Sequence, residues 1–339
     1  MKPIPLLTIL AFACLTVAAR SAPSVDDLAR FVAGLPVHDP ALAALEKESW
    51  WTSYATELDH KWARMDERQL THVRAWARGN GPVAHVSGTV YYMFSGPDFL
   101  YPRTFFPNAS TYILCGMEPV GSVADITKMA PGNIASDLSN VRHSLDTMLT
   151  THYFITKDMR VDLTRGYIGG TLPLLFVFME KSGCTINAVN FSGPSVEIDF
   201  RSPSGRSQTL YYFRTDLSNG GGNSSFFAFC KRHGPGTSLL KAASYLMHGD
   251  GFSTVRNFLL ANSTLIVQDD SGIPYHDFDQ RRWNVRLFGV YDGPIGLFSG
   301  NYQADLAKAF QSSKPGDLGF AFGYAWQIPK GLLIEATPK

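Results

Sequence analysis

Four cysteines in 339 residues are too few for a disulfide scaffold, and none of them stands in the CxxC or Cys/His spacing of a zinc site. An excess of one charge is also missing. Thirty Lys and Arg balance 29 Asp and Glu, so the chain lacks the basic face that releases counterions from nucleic acid. There is no strict glycine period and no charge-rich heptad, and 45% hydrophobic residues exclude a disordered chain. A full GxGxxG is absent, and so is the GxSxG elbow of a serine hydrolase. Beyond residue 21 no apolar run is long enough to cross a bilayer; Leu172 to Met179 is the most apolar stretch and is too short. What remains is a globular, aromatic-rich sequence with material for one large domain or two ordinary ones.

The start of the chain reads Met1-Lys2, then an apolar run from Ile4 to Ala19 interrupted only by Pro5 and Thr8, with small residues at Val17-Ala18-Ala19. This predicts a secretory leader over 1–21, cleaved after Ala19 or Ser21, and an extracytoplasmic protein, periplasmic or secreted. Lipidation at Cys14 is the lesser alternative, since Ala11 stands where a leucine is usual. Cys115, Cys184 and Cys230 then allow one disulfide and a thiol, or three buried thiols, and the pairing stays open.

Residues 22–79 predict a helical N-terminal cap. Val25-Asp26-Asp27-Leu28 opens a helix, Pro36 and Pro40 break it, and a charged, amphipathic pattern with Trp50, Trp51, Trp62 and Trp76 resumes from Leu42 to Trp76. Asn80-Gly81-Pro82 marks a boundary. A first α/β half follows over 80–218 and a second over 219–339, divided at the glycine-rich Asn219–Asn223 loop.

In the first half, a buried strand over Ala84–Phe94 leads through Ser95-Gly96-Pro97-Asp98 to a short helix over Phe99–Phe106. A strand at Thr111–Cys115 then ends in Gly116-Met117-Glu118. A helix over Ile134–Phe154, another over Leu172–Lys181 and three strands between Thr185 and Arg214 complete it. In the second half a strand-like Thr237–Tyr245, a polar turn at His248-Gly249-Asp250-Gly251, a helix over Ser253–Leu260 and a strand at Thr264–Val267 repeat this grammar, ending in Asp269-Asp270-Ser271. The expected fold is α/β, with Rossmann-like strand-turn-helix-strand units under the helical cap. Internal duplication and coincidence between two ordinary units are both open.

Ligands of open α/β sheets lie beyond the carboxyl ends of the strands. The candidate pocket is therefore Ser95, Gly96, Asp98, Glu118, Ser244, His248, Asp269, Asp270 and Ser271, drawn from four strand ends and expected to share one crevice. Adjacent residues of a strand face opposite ways, so at most one of Asp269 and Asp270 enters a given pocket. Ser244, His248 and Asp250 invite a hydrolase triad but lack its elbow. His276-Asp277-Phe278-Asp279 offers oxygen and nitrogen donors without a second ligand cluster, so no metal is expected. Tyr211, Tyr212, Trp283, Tyr291, Tyr302 and Trp326 are aromatics suited either to a saccharide groove or to the core.

A glycine after the first strand and an acid ending the second resemble the cofactor pattern of Rossmann-like methyltransferases and dehydrogenases, in which the acid accepts hydrogen bonds from ribose hydroxyls. Pro97 departs from it by removing an amide donor, and no cofactor is expected on this ground. The strings Phe94-Ser95-Gly96-Pro97-Asp98-Phe99-Leu100-Tyr101, Gly116-Met117-Glu118-Pro119, Lys241-Ala242-Ala243-Ser244-Tyr245-Leu246-Met247-His248 and Gln268-Asp269-Asp270-Ser271-Gly272-Ile273-Pro274 resemble a group of exported bacterial proteins. That resemblance implies a bacterial source and a place outside the cytoplasm, and brings no reaction with it. The function expected is non-enzymatic binding of a small molecule or envelope partner, without nucleic acid and without membrane integration. The alternatives are an extracytoplasmic hydrolase using the acid and histidine cluster, and a degenerate relative of the Rossmann-like methyltransferases.

Overall fold

The computed structural model describes residues 22–154, 166–325, 328 and 330–339. The leader, Cys14 and Trp326 lie outside the described residues. The fold is mixed α/β around a nine-stranded sheet, with five parallel strands in its middle and an antiparallel pair at each edge.

Strands β1 (Thr89–Tyr92), β2 (Thr111–Gly116), β8 (Gly236–Leu240) and β9 (Ser263–Gln268) are buried along almost their whole length. Both faces of these strands are covered, which is why they read as apolar runs rather than as alternations. Val90 and Tyr92 enter one core with Tyr112, Leu114, Leu265 and Val267, while Tyr91, Met93, Ile113, Cys115 and Ile266 enter the opposite one. The helices between Val25 and Ala84, and those at Pro131–Thr151 and Leu172–Lys181, contribute to the first core; Ser224–Arg232 and Ser253–Asn262 contribute to the second.

Strands β3 (Ser122–Val123) and β4 (Ile168–Gly169) form a small separate ribbon. The hairpin of β5 (Thr185–Ser192) and β6 (Ser195–Arg201) joins β7 (Ser207–Arg214) at one edge of the main sheet. At the other edge, β11 (Leu332–Pro338) runs antiparallel between β9 and β10 (Trp283–Gly289). Within β11, buried Glu335 accepts hydrogen bonds from Arg286 Nη2 (3.1 Å) and from Asn80 Nδ2 (2.6 Å), which ties this strand to the end of the N-terminal helices.

The order β7-β2-β1-β8-β9 reverses direction between β1 and β8. From β1 the chain crosses by the Leu100–Phe105 helix on one face to β2; from β8 it crosses by the Ser253–Asn262 helix on the other face to β9. The two units are thus placed as a half-turn about an axis along the strands would place them. The reversal leaves a crevice at the carboxyl ends of β1 and β8.

Two expected strands are shorter than the sequence pattern. The run from Ala84 begins as strand only at Thr89, because Asn80 caps a helical turn over Gly81–Ala84 through Val83 N (3.4 Å). The run from Thr237 leaves the sheet after Leu240, where the backbone turns into left-handed conformations. Cys115, Cys184 and Cys230 are three buried thiols; burial pushes Cys115 up to about 12 and Cys184 up to about 11.

Candidate functional site

The loops that follow β1 and β8 repeat one backbone pattern. The second and fourth residues past each strand have positive φ: Phe94 (61°) and Gly96 (53°) after β1, Ala242 (51°) and Ser244 (56°) after β8, with Tyr245 (54°) next. Five non-glycine residues among those described have positive φ, and four of them lie in these two turns. The fifth, His152, accepts a hydrogen bond from Lys241 through its carbonyl. Left-handed backbone costs an L-residue roughly 1–2 kcal/mol, so such a concentration requires partners that enforce it.

The partners of the second turn are side chains. Asp269 Oδ2 accepts from Ala242 N (3.1 Å), and Ser271 Oγ accepts from Ala243 N (2.7 Å) while donating to Asp269 Oδ1 (2.6 Å). Tyr324 Oη accepts from Ser244 N and donates to the Ala242 carbonyl, both at 3.0 Å. Gly323 must be glycine here, since its φ is 69° and a Cβ would lie 2.0 Å from Asp269 Oδ2. The first turn is held mostly by backbone: Gly96 N donates to the Cys115 carbonyl (3.1 Å), and Ser95 Oγ donates to the same carbonyl (3.2 Å).

Between the turns lies a cavity of about 250 Å³, just below the range usual for small-molecule sites. Its wall includes Ser95, Gly96, Asp98, Glu118 and Ser244, and also Asp216 just beyond β7 and Lys241 just beyond β8. Glu118 is buried, and its Oε2 stands so close to the end of β2 that a Cβ on Gly116 would approach within 2.5 Å. Asp269 and Ser271 sit behind this wall as the clamp of the second turn. Asp270 faces a neighbouring cavity and receives the Tyr245 hydroxyl at 2.7 Å. Both aspartates lie just past the end of β9, where the chain turns, and that turn sends them to different surroundings. His248 stacks edge-on to the Tyr245 ring at 5.2 Å, and Ser244 Oγ is hydrogen-bonded to Tyr324 (3.0 Å), so the serine and histidine are committed to different tyrosines.

Beneath the cavity is a buried ionic cluster. Lys241 Nζ lies 3.8 Å from Asp98 Oδ2 and 4.0 Å from the centre of the Tyr101 ring, and donates to the His152 carbonyl. Asp98 also accepts from the Tyr92 hydroxyl (2.9 Å) and from Tyr101 N (3.3 Å). Burial raises the carboxyl pKa of Asp98 and of Asp269 and lowers that of Lys241; the lysine charge opposes the first two shifts, and the two acids oppose the third. Desolvation outweighs pairing in all three, as expected when charges leave water together.

Sequence reasoning did not single out Lys241, Asp216 or Tyr324. A lysine closing an apolar strand and an acid two residues past Arg214 were visible signals; nothing local marks Tyr324. Elsewhere, Asp277 pairs with Arg256 (3.1 Å) and Asp279 with Arg281 (3.0 Å), which commits the acids of the 276–279 loop. Tyr212 and Trp283 are core residues, Tyr211 packs on Phe229, and Tyr291 stacks on Tyr302 at 5.7 Å. The chain matches no protein-family model and no curated protein.

Proposed function

We propose that the crevice between the two turns binds a nucleoside without a phosphate, and that the protein acts as a binder of such ligands outside the cytoplasm. The observation that carries this reading is Glu118, a buried acid ending the strand beside β1 and forming the wall of a crevice at the reversal of strand order. In sheets of this order that position accepts hydrogen bonds from ribose hydroxyls. Asp216, past the next strand, supplies an acceptor for an exocyclic amine of the base, and Leu217 supplies apolar surface. Phosphate is disfavoured on two counts. The wall carries Asp98, Glu118 and Asp216 against a single lysine already paired with Asp98, and Pro97 has no N–H to offer. An uncharged or cationic nucleoside suits this field.

The resemblance to Rossmann-like methyltransferases supports the same ligand class, and an exported location agrees with a site that rejects phosphorylated cofactors. A hydrolase has less support, given the separate partners of Ser244 and His248. Calorimetric titration with adenosine, S-adenosylmethionine, AMP and 2′,3′-dideoxyadenosine tests the reading. A nucleoside with its diol should bind saturably, with AMP and the dideoxy compound at least about tenfold weaker, and Glu118→Gln should lose about the same factor. Equal binding of adenosine and its dideoxy analogue, or no saturable binding of any nucleoside, sinks it. Export is tested by N-terminal sequencing of the fractionated protein; recovery of a cytosolic chain retaining residues 1–21 contradicts it.

A further inference from the structure

Beside the crevice lies a second cavity of about 540 Å³, with Tyr153 on the wall of both. Its lining is aromatic and acidic: Tyr153, Tyr245, Tyr324 and Phe322, with Asp270 and Asp292. The rings form a packed group. Tyr324 stands 5.0 Å from Tyr153 at 73° and lies parallel to Tyr245 at 6.2 Å. Two of the tyrosine hydroxyls are already engaged, Tyr245 donating to Asp270 Oδ2 (2.7 Å) and Tyr324 to the Ala242 carbonyl (3.0 Å). What these two side chains offer a ligand is therefore ring surface rather than donors. Against that surface stand Asp270, 7% exposed, whose carboxyl is pushed up to about 7 by burial and by the neighbouring Asp269, and the carboxylate of Asp292, which is open to solvent. Lys330 is exposed at the rim.

We propose that this cavity is a binding site for a small organic ammonium ion. A ring-lined space with carboxylates favours a charge that is large, weakly hydrated and in need of few directed hydrogen bonds, which describes an alkylated ammonium. A neutral apolar guest would gain the contact surface and nothing from the acids. A metal ion would need a shell of convergent oxygens, whereas the two carboxyl groups here share the wall with four aromatic rings and the aliphatic Pro294, Ile295 and Leu332. An anion would face two carboxylates. Lys330 at the mouth suits a guest whose outer end carries an acceptor.

The test is calorimetric titration of the full chain, without nucleoside, using choline and its uncharged isostere 3,3-dimethylbutan-1-ol. Choline should bind saturably and the isostere at least about tenfold more weakly. Asp270→Asn should weaken choline by about tenfold and Asp292→Asn by a smaller factor, with the isostere unaffected in both. Because Asp292 is exposed, its variant leaves the core untouched and keeps the test open should Asp270→Asn misfold. Proton NMR of the trapped N-methyl groups gives an independent readout, since ring currents should shift them upfield. Equal affinity for choline and its isostere, absence of saturable choline binding, or an unchanged choline affinity in both variants overturns the proposal. None of these results depends on whether the neighbouring crevice takes a nucleoside.

Discussion

The turn after β1 and the turn after β8 share a backbone path and reach it by different means. After β1, glycine occupies one of the two left-handed positions and backbone hydrogen bonds do most of the holding. After β8, three non-glycine residues in a row of four are left-handed, and Asp269, Ser271 and Tyr324 clamp the turn through four hydrogen bonds to its backbone and a fifth to Ser244 Oγ. One turn strains a single side-chain-bearing residue, Phe94; the other strains three and is kept in place by side chains that come from elsewhere in the sequence. A strained turn that the surrounding structure over-determines is a feature of sites in which side chains must be aimed, and the β8 turn aims Lys241 at one cavity and Tyr245 at the next.

The largest effect expected from this difference is on Asp269→Ala. It removes the acceptor of Ala242 N and of Ser271 together with a negative charge near Lys241, and should cost about 3 kcal/mol or more in denaturant unfolding. Ser95→Ala in the first turn should cost less than about 1 kcal/mol. Comparable losses from the two would break the comparison.

The next effect is on pH dependence. Burial raises Asp98 and Asp269 above the ordinary carboxyl value. A carboxyl shifted upward contributes stability that is fully present below its unfolded pKa of about 4 and is lost as pH rises through the folded value. Unfolding free energy should therefore fall above about pH 4, with a slope of up to about 1.4 kcal/mol per unit for each proton involved. Asp98→Asn should flatten the slope, and urea midpoints from pH 4 to 8 measure it. An identical slope in the variant would remove Asp98 from the account.

Tyr324→Phe comes third. It keeps the ring contacts with Tyr245 and Tyr153 and deletes the three hydrogen bonds of the hydroxyl to the β8 turn, a loss of about 1–2 kcal/mol by thermal or urea unfolding. The smallest effect has the opposite sign. Ala242→Gly should stabilise by about 0.5–1 kcal/mol because glycine takes φ of 51° without strain, whereas Gly96→Ala should destabilise by about 1 kcal/mol. A destabilised Ala242→Gly would show that Ala242 is unstrained.

Much of the frame was legible in the sequence. Leu172–Lys181 forms a helix with the bounds its apolar run suggests, and the strands at 111–116 and 263–268 match their β-branched stretches. Asp269 and Asp270 are divided between two surroundings, but in the turn past Gln268 rather than along a strand, so periodicity is not the reason. The failures have a common cause. Lys241-Ala242-Ala243-Ser244-Tyr245 carries no glycine or proline, so nothing in its letters announces a turn. The conformation is imposed by Asp269 and Tyr324, which lie 27 and 82 positions from Ala242 in the chain. A site assembled from such distant partners leaves no local pattern to read, and Tyr324 was invisible for that reason.

The insertion of β11 between β9 and β10 sets an order of events in time. As the chain emerges from the ribosome, β9 and β10 are both made before the strand that joins them, so β10 has no main-sheet neighbour to pair with until residues 332–338 arrive. Glu335 arrives with that strand, and with it the bond to Asn80 made 255 positions earlier. Closure of the sheet is therefore a late step with a long reach, the kind of topology that folds slowly and leaves an open strand edge exposed while it waits.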